Sequence, residues 1–144
     1  MNIWTKRLAM GSAAACLLLV GRAWGVADEK SAQSEKVFEM RTYVTNDGKL
    51  DDLHRRFRDH TCKLFEKHGI ENVGYWVPTD GEAAKNTLIY IVAHPSRDAA
   101  KANWKAFGAD PDWQEAYKAS HKNGVLVKEL KSVYMKPTDY SKIK

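Results

Sequence analysis

The sequence predicts an α+β domain of ferredoxin-like βαββαβ order, a four-stranded antiparallel sheet with helices on one face. Three observations predict it. Four stretches between Val37 and Met135 carry strand patterning, amphipathic helical spacing fills the second and fifth places, and Gly, Asn, Asp or Pro residues mark the junctions. A chain of 144 residues, 44% hydrophobic and 28% charged, has a globular composition and can bury roughly two-thirds of its unfolded surface in one core. Little length remains for a separate cofactor domain.

Val37 to Val44 alternates, with Phe38, Met40 and Val44 on one side and Glu39, Arg41 and Tyr43 on the other. The expectation is that the apolar set packs under the helices, leaving the polar set to meet water or a second subunit. That implies a homodimer through a polar-lined sheet face. Asn46-Asp47-Gly48 turns the chain into one helix from about Lys49 to His68, with Leu50, Leu53, Phe57, Thr61 and Leu64 at helical spacing and Gly69 as its left-handed cap. Asn72 to Val77 and Thr87 to Ala93 read as a hairpin across the polar loop that begins at Thr79. Ser96 caps a helix bearing Ala100, Trp104 and Phe107. Asp110-Pro111-Asp112 opens another, with Trp113, Tyr117 and Ser120 on one side, that stops at Asn123-Gly124. Val125 to Met135 is the last strand, so the domain covers 37–136 and 137–144 is a tail.

Ahead of the domain, Lys6 and Arg7 precede an apolar run from Leu8 to Val20 that ends in Ala23-Trp24-Gly25. This is the pattern of a secretory signal peptide over residues 1–25, cleaved after Gly25 or Ala27. The run is short for a membrane span, Cys16 lies inside it without a lipobox, and no arginine pair marks twin-arginine export. Export to the periplasm or beyond, without a stable membrane anchor, is expected. Residues 26–36 are Ser/Glu/Lys-rich and read as a flexible leader. Cleavage removes Lys6, Arg7 and Arg22 but no acid, bringing the formal charge of +5 close to neutrality, which argues against nucleic acid as a partner. Cys62 is then left without a CxxC for zinc, redox or haem attachment, and Leu64 and Phe65 favour its burial.

The blocks Val37-Phe38-Glu39-Met40-Arg41-Thr42-Tyr43, Gly48-Lys49-Leu50, Arg58-Asp59-His60-Thr61 and Glu66-Lys67-His68-Gly69 resemble the NIPSNAP family. The resemblance continues through Asn72-Val73-Gly74-Tyr75-Trp76, Trp104-Lys105-Ala106-Phe107, Asp110-Pro111-Asp112-Trp113 and Pro137-Thr138-Asp139-Tyr140-Ser141. It implies a dimeric α/β barrel in which two ferredoxin-like sheets associate face to face. It also implies kinship of fold with antibiotic-biosynthesis monooxygenases, haem-degrading monooxygenases and small isomerases, which by itself assigns no reaction.

Several residues are candidates for chemistry. His60, between Phe57 and Leu64 on the apolar helix face, is read as a proton-transfer group in a cavity or as a satisfied core histidine. Arg41 and Tyr43 can donate to a carboxylate or an enolate-like oxygen, or bridge subunits with Glu39. Trp76, Tyr90, Trp104, Phe107 and Trp113 suit an aromatic pocket for a flat ligand, or plain core. His94, before Pro95, is placed at a cavity mouth or in solvent, while His54 and His121 fall on exposed helix positions. No GxSxG, HExxH, i,i+4 histidine pair or Gly-rich phosphate loop occurs, so no cofactor and no metal is expected. Three functions fit: a homodimer binding a small apolar or aromatic molecule between sheet and helices, a metal- and nucleotide-free monooxygenase or isomerase, and a structural dimer with a filled interior.

Overall fold

The computed structural model describes residues 36–144. The signal peptide and Cys16 lie outside the described residues, as does the leader up to residue 35. Strand β1 (Val37–Thr45) leads through a turn at Gly48 into a long first helix, which begins as α1 (Leu50–Arg56), widens into a π-helical turn (Phe57–Thr61) and resumes as α2 (Cys62–Lys67). Gly69, at φ +69°, takes the left-handed conformation that ends it. Strands β2 (Glu71–Trp76) and β3 (Thr87–His94) pair antiparallel, and the loop between them holds a short helix, α3 (Ala83–Asn86), where only a polar loop was expected. Helices α4 (Arg97–Ala109) and α5 (Pro111–Ser120) precede the last strand, β4 (Val127–Met135). The sheet order is β2-β3-β1-β4, with every neighbouring pair antiparallel.

The caps follow sequence chemistry. Ser96 Oγ accepts from Ala99 N at 3.0 Å at the start of α4. Asp110 ends α4 and caps α5: its Oδ1 accepts from Asp112 N at 2.8 Å, while Oδ2 accepts from Lys67 at 2.9 Å and His68 at 2.5 Å. Lys67 and His68 hold this carboxyl well below the usual carboxylate range, so the end of the first helix is tied to the start of α5.

The first helix departs from a regular α-helix at its centre. Cys62 N–H donates to the Phe57 carbonyl, five residues back, and Thr61 Oγ1 donates to the Arg56 carbonyl at 3.2 Å. In an unbroken α-helix His60 shares the face of Phe57. The wide turn holds an extra residue, so Thr61 takes the buried place and His60 is carried out to solvent, which corrects its expected position on the apolar face.

Register places Glu39, Arg41 and Tyr43 on the same side as Val92, Tyr90 and Leu88 of β3, and this side carries the helices. Phe38, Met40 and Val44 lie on the opposite, helix-free face with Ile89, Ile91 and Val133. The expected assignment of the two faces is therefore inverted, and so is the expected polar lining of the open face. The cause is that Glu39 and Arg41, which alternation alone assigns to solvent, find partners inside the chain. The core beneath the helices is aromatic: the Phe57 ring centroid lies 5.1 Å from Tyr90, 5.6 Å from Tyr75 and 6.1 Å from both Tyr43 and Phe65. Of these rings Phe57, Phe65 and Tyr90 are buried, and each contributes roughly 1.5–3 kcal/mol by its burial.

Candidate functional site

Glu39 anchors the site. It is 1% exposed, and its Oε1 accepts from Arg41 Nη1 at 2.7 Å and from Ser132 Oγ at 2.5 Å, while Oε2 accepts from Trp104 Nε1 at 2.6 Å. His94 Nε2 stands 3.5 Å from Oε2. Burial pushes the carboxyl up, but His94, Ser132, Trp104 and the Arg41 charge outweigh it and bring the pKa down to about 2. The carboxylate thereby positions the Trp104 indole and the Arg41 guanidinium, whose Cζ lies 4.5 Å from the indole centroid.

From Arg41 a chain of donors runs along the sheet. Arg41 Nη2 donates to Tyr43 Oη at 3.3 Å, and Tyr90 Oη lies 2.9 Å from Tyr43 Oη. Tyr90 is fully buried and Tyr43 is its hydroxyl's hydrogen-bond partner, so the buried Tyr90 proton donates to Tyr43. Tyr43 Oη thus accepts twice, and its own proton is left to donate outward.

Outward is a cavity of about 420 Å³ between the helix-bearing face of the sheet and the helices. Arg41 and Tyr43 from β1 and Leu130 from β4 form its sheet side, and Trp104, Phe107 and Trp113 its aromatic side. The volume lies within the range of small-molecule sites. Five residues singled out from the sequence meet here: Arg41, Tyr43, Trp104, Phe107 and Trp113. Tyr90 stands behind Tyr43 and supports it from the core.

The other three stand elsewhere. His60 is exposed and lines a smaller cavity of about 220 Å³ between the first helix and α5. His94 is not a solvated loop residue but the buried end of β3, 1% exposed, with neither ring nitrogen hydrogen-bonded. Trp76 ends β2 at 52% exposure and lies across Gly74, where a Cβ would stand 2.5 Å from the indole. Arg41 and Glu39 pair within one chain, which corrects their reading as a bridge between subunits.

Sequence reasoning passed over Arg56. It is 5% exposed, lines the large cavity, and stacks against Trp113 and Tyr117 with Cζ 5.2 and 5.6 Å from their centroids. The signal was present: Arg56 follows Leu53 by three residues and precedes Phe57, an inward position on the helix. His121 also lines the cavity, just past α5, its Nδ1 held 2.7 Å from the Tyr117 carbonyl. Among the described residues no group of three or more His, Cys, Asp or Glu side chains is placed to hold a metal ion.

Comparison with known proteins agrees with this architecture. A NIPSNAP family protein of unknown function from Agrobacterium tumefaciens superposes with a TM-score of 0.66 at 24% identity, covering 76% of this chain and 95% of its own. A second from the same organism gives 0.67 at 20% identity, over 76% of this chain and 100% of its own. A putative antibiotic biosynthesis monooxygenase from Bacteroides thetaiotaomicron gives 0.54 at 10% identity, over 72% and 90% of the two chains. At such identities the likeness shows the fold alone. No curated protein matches the sequence. The NIPSNAP sequence profile matches residues 38–142, from the second residue of β1 into the tail after β4, and the chain belongs to the NIPSNAP family.

Proposed function

We propose that this protein is exported, acts as a homodimer joined through the helix-free sheet face, and binds a small aromatic or apolar molecule in the cavity between sheet and helices. The observation that carries the binding reading is the cavity of about 420 Å³ itself, walled by Trp104, Phe107 and Trp113 with Tyr43 and Arg41 on its sheet side. It also counts against an interior filled by Phe57, Leu64, Trp76 and Trp104. The homodimer rests on the open face, which presents Met40, Ile89 and Ile91 together with Trp76 and Val133 at 52% and 50% exposure. Such a surface is costly to leave in water. Export rests on the pattern of residues 1–25.

Native mass spectrometry of the mature chain, purified gently from the periplasm, tests the three parts together. A dimer carrying additional mass supports the reading. Val133→Glu should turn that dimer into monomer without unfolding it, and a wild-type chain that is monomeric at micromolar concentration overturns the dimer.

The donor pair Arg41 and Tyr43 favours a second reading, a cofactor-free oxygenase or isomerase that holds an enolate-like oxygen at Tyr43. The fold likeness to a putative antibiotic biosynthesis monooxygenase is consistent with it. His60 stands outside the cavity, so the pair acts here without it. Conversion of the co-purified molecule by wild type, lost in Tyr43→Phe, is the expected result, and a molecule unchanged in both mass and chromatographic retention after aerobic incubation overturns it.

A further inference from the structure

We propose that the occupant of the cavity is an organic anion, a carboxylate or enolate on an aromatic or apolar body, and that Arg56 is the residue that recognises its charge. The inference rests on the binding reading above and adds the ligand's chemical class.

The argument begins with charge balance. Arg41 is paired with Glu39 at 2.7 Å, so its charge is compensated. Arg56 is as deeply placed, yet among the described residues no carboxylate lies within ion-pair distance of it. Among the described residues its guanidinium has one hydrogen-bond partner, Ser120 Oγ, at a long 3.4 Å, and its Nε is buried without a partner. Asp52, four residues back, is engaged by Lys49 and Arg55 instead, and Asp59, three residues on, is exposed and forms no ion pair with Arg56. A buried cation that has lost its water and gained no anion is costly, and folds retain one where something else supplies the charge.

The guanidinium stands between the two cavities. Its Nη1 reaches Ser120, which lines the smaller one with Asp52 and Asp59, while its faces lie against Trp113 and Tyr117, whose rings line the large one, where no carboxylate pairs with it. A further donor lines the large cavity: Tyr43, whose proton is left over after its hydroxyl accepts from Arg41 and Tyr90. The acid at the rim, Glu129, is 2.9 Å from Lys131. Two donor groups, one net buried positive charge and aromatic walls fit a flat body with an anionic oxygen group.

Calorimetric titration with 2-naphthoate and its neutral isostere 2-naphthamide tests this. Wild type should bind the anion at least about tenfold more tightly than the amide, the worth of a charge-assisted bidentate contact. Arg56→Met should weaken the anion at least about tenfold more than the amide, abolishing that preference, and Arg56→Lys should restore part of it. Leu130→Trp, at a half-exposed position on the cavity's sheet side, should weaken both probes. If both bind equally and Leu130→Trp weakens both, the charge inference is overturned and the binding reading stands. If neither binds, or Leu130→Trp changes nothing, the binding reading fails and the inference with it.

Discussion

Two arginines face the same cavity and are served differently. Arg41 and Arg56 are both deeply placed and both lie against aromatic rings, but Arg41 has a carboxylate at 2.7 Å and Arg56 has none. Around Arg41 the charge closes on Glu39, which also fixes Ser132 and Trp104, so this end is compensated within the chain even though Arg41 Nε keeps no partner. Around Arg56 the network is left open. A closed network serves the fold, whereas an open one beside a cavity is poised for a ligand.

The largest effect should come from opening the closed end. Glu39→Gln leaves Arg41 buried without its counter-charge and removes a strong acceptor from Ser132 and Trp104. A loss of about 3–5 kcal/mol in chemical denaturation is expected. A loss below about 1 kcal/mol would mean that the network is not what holds β1 against α4.

The same carboxylate makes a pH prediction of slightly smaller size. Its folded pKa of about 2 lies below its ordinary value of 4.5, so it contributes stability that is fully present above pH 4.5 and is lost as pH falls toward 2. The span corresponds to about 3 kcal/mol. Urea denaturation from pH 6 to pH 2 should show this component in wild type and lack it in Glu39→Gln.

The smallest effect is expected at the open end, with the opposite sign. Arg56→Met replaces an unpaired buried cation by an apolar chain of similar reach, so stability should rise by about 1 kcal/mol even as discrimination between anion and amide disappears. A substantial loss of stability would show that the stacking on Trp113 and Tyr117 outweighs the burial of charge, and would make Arg56 a structural residue like Arg41.

The order of elements was legible from the sequence because it depends on local rules: alternation in β1 and helical spacing through Leu53, Phe57 and Leu64. The caps at Ser96, Asp110 and Gly69 are decided by their own side chains or backbone freedom. Half of the candidate site was legible for the same reason, since Arg41, Tyr43, Trp104 and Phe107 are chemically conspicuous. Only the tertiary structure decided which face of β1 meets the helices. A one-residue choice exchanges Phe38, Met40 and Val44 for Glu39, Arg41 and Tyr43, and it is settled by partners distant in sequence, Trp104 at 2.6 Å and Ser132 at 2.5 Å from Glu39. His60 left its expected place because a single wide turn rotates the helix beyond Phe57, and Arg56, to which the sequence assigned no role, gains one only where the rings of Trp113 and Tyr117 close over it. Spacing along the chain determines what each residue is able to face; packing between distant segments determines what it does face.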